Sequence, residues 1–192
     1  MDAHPSPDAH THRETLKGIE ARVWAELSLA ANDRLHPWRW ATLATIGTDG
    51  QADARLVVVR EADAELRELI FFTDARSPKV AQLAQHPLGT LVMWSATLGW
   101  QLRLKVLLSV ETCGLAVSSR WATLKLTPAA QDYLSPLAPG SVIEQPEPER
   151  SSREYFAVVT AQVQAIDWLS LDRDSPRRAR FAHGHRSCWL QP

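Results

Sequence analysis

The sequence predicts a mainly β fold with α additions: a small antiparallel β-barrel carrying helices at its margins. Three observations predict it. Apolar residues alternate by twos from Trp40 to Ile46. Gly47-Thr-Asp-Gly50 follows, a strong hairpin signal, and the returning strand runs over 52–60. A second hairpin pair, 89–95 and 101–111, folds around Thr97-Leu-Gly99. A short strand at 69–73 and one or two strands over 156–171 are also expected, and the chain as a whole reads as a run of five or six antiparallel strands.

The marginal elements are legible from their own signals. Leu16, Ile19, Val23, Trp24 and Leu27 recur at helical spacing, so 15–31 is an amphipathic helix. Residues 61–68 are charged and read as a loop. Ser77-Pro78 is an N-cap followed by Pro at the first helical position, which opens a short helix that His86-Pro87 ends. A helical segment is expected over 115–126 and another from Thr127-Pro128. Residues 135–150 are rich in Pro and acidic residues and read as an irregular loop. Arg177 to Phe181 and Trp189-Leu190 suggest a closing hairpin.

Bulk properties bound the function. The 192 residues suit a single domain over 13–192 behind a disordered arm, 1–12. The arm's His4, His10 and His12 lack companion ligands, so no metal site is expected there. A formal net charge of −1 carries no bias toward nucleic acid. Two cysteines, Cys113 and Cys188, lie far apart and form no CxxC, which fits a reduced compartment. The first residues contain no apolar signal region and no run reaches spanning length, so a soluble cytoplasmic protein without a membrane partner is expected.

The chemistry concentrates in one region. Arg55 and Arg60 bracket an apolar strand, and the next strand ends in Thr73 and runs through Arg76 into the helix start at Ser77 and Lys79. Cations beside a helix N-terminus form an anion site, and phosphate is the simplest ligand. Arg55 and Arg60 are five residues apart, which on an ideal strand means opposite faces and two separate roles. His86 reads as structural, and neither His183 and His185 nor the two thiols show a base partner. No catalytic residue is assigned.

This order of segments resembles the pyridoxamine 5′-phosphate oxidase family, flavoproteins with an FMN-binding split β-barrel. The similarity is best over 37–112: a strand with an Asp-Gly turn, Arg55-Leu-Val-Val-Val-Arg60, Phe71-Phe-Thr73, Ser77-Pro-Lys79 and a Trp100-Gln-Leu-Arg103 strand. The resemblance implies that Arg55, Lys79 and Thr73 hold the FMN phosphate, with Phe72 beside it and Ser77 opening the helix. The backbone of Leu56, Val57, Val58 and Val59 would lie along the isoalloxazine ring. Gln101 would reach the flavin from the other subunit of a homodimer. Arg60 would grip the anionic group of a small-molecule substrate, with Trp121 and Lys125 as looser matches. Trp94, Trp100 and Trp168 are candidates for stacking near the flavin or the dimer seam.

The departures matter. Pro78 stands where the family has an arginine, with Arg76 as a substitute charge. The C-terminal arginine–histidine signature that embraces the pyridoxal ring is absent. The implied function is hydride transfer between a small substrate and FMN. The alternative is a non-enzymatic flavin- or haem-related binding protein in stress response. A deazaflavin in place of FMN stays open.

Overall fold

The structure is a computed structural model and describes residues 14–144, 155–172 and 175–192. Its elements run α1 (Leu16–Asn32), β1 (Trp40–Ile46), β2 (Ala52–Val58), β3 (Glu61–Asp63), β4 (Glu68–Asp74), α2 (Pro78–Gln85), β5 (Leu88–Ser95), β6 (Trp100–Glu111), α3 (Leu115–Leu124), β7 (Phe156–Ser170), β8 (Arg177–Ala182) and β9 (Cys188–Leu190). Short 3-10 turns sit at Pro37–Arg39 and Pro128–Tyr133. All pairings are antiparallel, and the main strand order is β2-β1-β5-β6-β7-β4-β3, with β8 and β9 added beside β7.

The ends of that order explain the shape. β2 and β3 stand at opposite edges, yet only Val59 and Arg60 lie between them in sequence. Two residues span less than 10 Å or so, so the sheet must curl until its edges meet. They meet without pairing as a ladder: Val59 N–H donates to the Arg39 carbonyl at 2.9 Å and Arg60 N–H to the Ile70 carbonyl at 2.8 Å. The result is an antiparallel barrel split along this seam, as expected, and the sheet is not closed.

Two apolar clusters fill it. The larger lies inside the curl, with Leu43, Phe71, Leu91, Leu102, Leu104, Ile166 and Trp168 wholly or nearly wholly buried, and α1 plugs one side through Ile19, Val23 and Leu27. Thr15 caps α1 by accepting from Gly18 N–H at 3.1 Å. The smaller cluster packs α3 and the 128–133 turn onto the opposite face of β4 and β7 through Trp121, Tyr133, Phe156 and Val158. β4 is therefore apolar on both faces, which is why Leu69 to Phe72 reads as a continuous run rather than an alternation.

Several expectations need correction. The charged segment 61–68 contains β3, which pairs with β4 at Glu61↔Ile70 and Asp63↔Glu68; its charges face outward on a short edge strand, so composition hid it. Among the described residues there are nine strands, not five or six. The strand expected over 52–60 ends at Val58, where the chain crosses to the other edge. The segment after Thr127 is a 3-10 turn, not an α-helix, and α3 stops at Leu124. β7 is one strand, interrupted by a bulge: Lys105 pairs with Ala165 but Val106 with Val163, leaving Gln164 extra. The bulge shifts the inward positions from Val159, Ala161 and Val163 to Ile166 and Trp168, so the alternation seen in sequence breaks phase. The hairpin at Asp49-Gly50 has Gly50 at φ 80°, the left-handed turn conformation that glycine adopts at little cost. The arm at 1–12, with His4, His10 and His12, and the end of the expected 135–150 loop lie outside the described residues.

Outward-facing residues of four strands form an apolar surface. Because Ala41 and Leu43 are buried, Trp40, Thr42, Ala44 and Ile46 face out, opposite Val58, Leu56, Ala54 and Ala52 of β2. Leu88 and Trp94 of β5 and Leu107 and Gln101 of β6 share that face. Leu56 is 64% exposed, Leu88 66% and Trp40 55%.

Phe71→Ala, at the centre of the larger cluster, is expected to lower unfolding stability by about 3–5 kcal/mol, read from denaturant midpoints. Val142→Ala, on an exposed loop residue, should stay within about 0.5 kcal/mol of the parent.

Candidate functional site: a cation and hydroxyl cluster at the start of α2

Three elements deliver the cluster. β2 brings Arg55, β4 ends at Thr73 and Asp74, and the turn after β4 opens α2 at Ser77. Proline at the first helical position sets the backbone of that turn, and Ser77 makes no side-chain cap bond to the first-turn amides. Instead its hydroxyl accepts from Lys79 Nζ at 2.6 Å, and Thr73 Oγ1 accepts from the same ammonium at 2.9 Å. Among the described residues no carboxylate lies within ion-pair distance of Lys79. Burial lowers the Lys79 pKa below the usual lysine value, the nearby Arg55 charge lowers it further, and Asp74 and Asp53 partly oppose this.

Arg55 is held by the protein itself. Its Nη1 donates to Thr45 Oγ1 at 2.6 Å and its Nη2 to Gln82 Oε1 at 2.9 Å and to Asp53 Oδ2. Gln82 Nε2 donates to Asp53 at 2.7 Å. The Gln82 hydrogen bond is the main cause holding the Asp53 carboxyl below its usual pKa, and the Arg55 charge adds to it. Thr45, Asp53 and Gln82 were not singled out in the sequence. A weak signal existed: Asp53 precedes Arg55 by two on the same strand face, and Gln82 lies three after Lys79 on the same helix face.

Arg76 has a different set of partners. Its Nε and Nη2 grip Asp74 at 3.0 and 2.7 Å, and its remaining donors reach the carbonyls of Ser135, Pro136 and Leu137. Its guanidinium also stacks on Tyr155. It fastens the 135–137 segment beside the cluster, and that segment and residues up to Glu144 wall a cavity of about 740 Å³ with Asp74 and Asp132.

Arg60 has a different set of neighbours. It lies over the Phe72 ring at 5.7 Å and beside Tyr133, whose hydroxyl pKa burial pushes up despite the Arg60 charge. Its Nε is buried without a partner. Phe72 packs edge-on against Phe156 at 4.9 Å. Trp121 is buried among Phe156 and Tyr133, and Lys125 is exposed at the end of α3. The Arg120 guanidinium is tied to Glu61 by two bonds of 2.8 and 2.7 Å.

Leu56, Val57, Val58 and Val59 lie on or next to the edge strand, paired on one side with β1 through Val57↔Ala41 and Val58↔Trp40. Gln101 stands opposite Trp94 on the outer apolar face. Trp100 and Trp168 are core residues in edge-to-face contact at 5.3 Å, whereas Trp94 is exposed on that outer face. His86 caps α2 by its backbone, and His183 and His185 are exposed.

The donor set suits a phosphate monoester: a guanidinium, an ammonium without a carboxylate, two hydroxyls and a helix start converge where an organic body can run along the β2 edge. Comparison with known proteins agrees in region and fold. Residues 21–110 match the family model of the pyridoxamine 5′-phosphate oxidase FMN-binding domain. A pyridoxine/pyridoxamine 5′-phosphate oxidase of Thermosynechococcus vestitus is 44% identical over 84 residues, which is 44% of this chain and 38% of that protein. The match thus spans well under half of that relative's length. A crystal structure of a pyridoxamine 5′-phosphate oxidase-related, FMN binding protein from Nostoc punctiforme superposes with a TM-score of 0.73 at 20% identity, covering 89% of this chain and 96% of that one. PhzG from Burkholderia lata, solved in complex with tetrahydrophenazine-1-carboxylic acid, does so with a TM-score of 0.71 at 17% identity over 98% of both chains. Among the described residues no helix is long and apolar enough to cross a membrane. Residues 21–110 of this chain thus match the FMN-binding domain of the pyridoxamine 5′-phosphate oxidase family, and the fold is the split barrel seen in these similar structures.

Proposed function

We propose that this protein binds FMN and uses it to move a hydride from a small substrate, as a homodimer with the flavin at the subunit interface. One observation carries the reading: Lys79 is part-buried beside Arg55 and, among the described residues, hydrogen-bonds hydroxyls and pairs with no carboxylate. Two adjacent cations with no carboxylate on the ammonium are electrostatically costly until an anion joins them, and a phosphate near two negative charges matches that need.

In this reading Arg55, Lys79, Thr73 and Ser77 hold the phosphate, with Phe72 beside it and Arg76 acting indirectly by fixing Asp74 and the 135–137 carbonyls. The free side of the β2 edge offers backbone donors and acceptors to the ring through Leu56 to Val59. FMN, when bound, supplies the hydride-accepting chemistry. Arg60 orients the anionic group of the substrate; among the described residues its neighbours are Tyr133 and Phe72 and it forms no ion pair. Trp121 supports that wall from within, and Lys125 lies at its rim. Gln101 and the exposed Trp94, Leu56 and Trp40 meet a second copy, which would cover the large apolar side chains exposed together on that face. The alternative, a flavin- or haem-related binding protein without turnover, shares the fold and differs in having no hydride donor.

Titration of the ligand-free protein with FMN, followed by flavin fluorescence, tests the cofactor. Arg55→Ala is expected to weaken binding by about 10- to 100-fold; unchanged affinity would remove the phosphate assignment. Lys79 faces Arg55 and Asp53 from β2 and Asp74 from β4. Its pKa is lowered in the free protein, and a bound dianion favours its charged form. Affinity should therefore fall as pH rises from about 8 to about 10, below or near the ordinary lysine value, and Lys79→Met should flatten that fall.

The assembly is tested by sedimentation. Leu56→Glu, placing a charge on the outer face, is expected to shift dimer to monomer and to weaken FMN binding in parallel; a dimer unaffected by it would exclude this face as the interface. For turnover, pyridoxine 5′-phosphate added anaerobically to the FMN-loaded protein should bleach the flavin absorbance, with peroxide released on readmitting air. Flavin that stays bound and oxidised with this substrate would favour the binding-protein alternative.

A further inference from the structure

We propose that Asp53 and Gln82 are positioning residues for the cofactor phosphate: they hold the Arg55 guanidinium, and so its charge, in place beside Lys79, and their contribution is felt only by flavins that carry a terminal phosphate. The inference rests on the reading that Arg55 receives that phosphate.

The geometry is a closed circuit of four side chains from three elements. Gln82 on α2 is 6% exposed. Its Oε1 accepts from Thr45 Oγ1 at 2.8 Å and from Arg55 Nη2 at 2.9 Å, while its Nε2 donates to Asp53 Oδ2 at 2.7 Å. Thr45 Oγ1, having given its proton to Gln82, accepts from Arg55 Nη1 at 2.6 Å. Each group has one arrangement that satisfies all partners. Turning the Gln82 amide over would set its NH₂ against two donors and its oxygen against a carboxylate. Arg55 is thereby gripped at both terminal nitrogens, Nη1 by Thr45 and the Leu43 carbonyl and Nη2 by Asp53 and Gln82, so what it offers a ligand is a charge fixed in place.

A long arginine side chain free to rotate must be ordered when its ligand arrives, and that ordering weakens binding. Here the ordering is done by folding. Asp53 also contributes charge: it stands beside Arg55 at the strand end and offsets the repulsion between Arg55 and Lys79 in the ligand-free protein. Gln82 in turn keeps that carboxylate ionised and in place. Lys79 and Gln82, three residues apart on α2, divide the work: the first offers charge to the ligand, the second holds the other charge still.

The test compares FMN with riboflavin, which lacks the phosphate, binding to the full-length protein. Gln82→Leu and Asp53→Ala are each expected to weaken FMN binding by about tenfold and to change riboflavin binding by less than about twofold. Asp53→Asn, which keeps an acceptor oxygen near Arg55, should recover part of the Asp53→Ala loss. In an Arg55→Ala background neither substitution should weaken FMN further, since the circuit acts through that residue. Equal losses for both flavins would mark a structural role and overturn the proposal, as would losses that persist in full without Arg55. Tighter FMN binding by Asp53→Ala would also overturn it, by showing that the carboxylate competes with the phosphate. If Arg55→Ala weakens FMN but Gln82→Leu and Asp53→Ala do not, this inference alone fails; if Arg55→Ala binds like the parent, the phosphate reading fails with it.

Discussion

The two-residue link Val59-Arg60 is the constraint on which the rest of the molecule depends. It joins strands that stand at opposite edges of one sheet. Because so short a link cannot cross a flat sheet of seven strands at about 4.8 Å spacing, the sheet curls, an interior forms, and α1 closes one side of it. The same link fixes the chemistry. Arg55, before it, points toward α2; Arg60, at its end, points into the aromatic cluster under α3. Two cations close in sequence thus serve two different places, because the chain changes edges between them.

Charge is arranged in these two places by contrasting means. Near α2 the cations are crowded, and carboxylates pair directly with the two arginines, Asp53 with Arg55 and Asp74 with Arg76. Under α3 the Arg60 guanidinium stands among Phe72, Tyr133 and their neighbours. The first arrangement resembles a site built for a compact, doubly charged group; the second, one where packing decides as much as charge.

Much of this was legible in the sequence, and for identifiable reasons. Period-two alternation and Asp49-Gly50 located β1 and β2; Ser77-Pro78 located α2 to the residue. Arg55, Thr73 and Lys79 were recognisable together because cations and a hydroxyl at a helix start have a chemical signature. β3 was missed because its charged residues look like loop when their partner strand is unknown. The β7 bulge was missed because one inserted residue changes phase rather than composition. Thr45, Asp53 and Gln82 were invisible for a third reason: their meaning lies in a circuit spanning 37 residues of chain from Thr45 to Gln82, and neither spacing nor propensity reports such contacts. Arg76 read as a ligand cation by position, and only its partners reveal the 135–137 carbonyls it ties down.

β7 pairs with both β6 and β4, and its contacts with β4 join Glu68–Asp74 to Phe156–Gln162 across more than eighty residues. That placement sets an order of events during synthesis. The β1–β2 and β5–β6 hairpins are local and can close early, whereas the curl cannot be sealed until the last fifth of the chain has emerged. Until then the nascent protein presents an unsealed half-barrel, so the interval before β7 arrives is the time when association with the wrong partner is most costly to avoid.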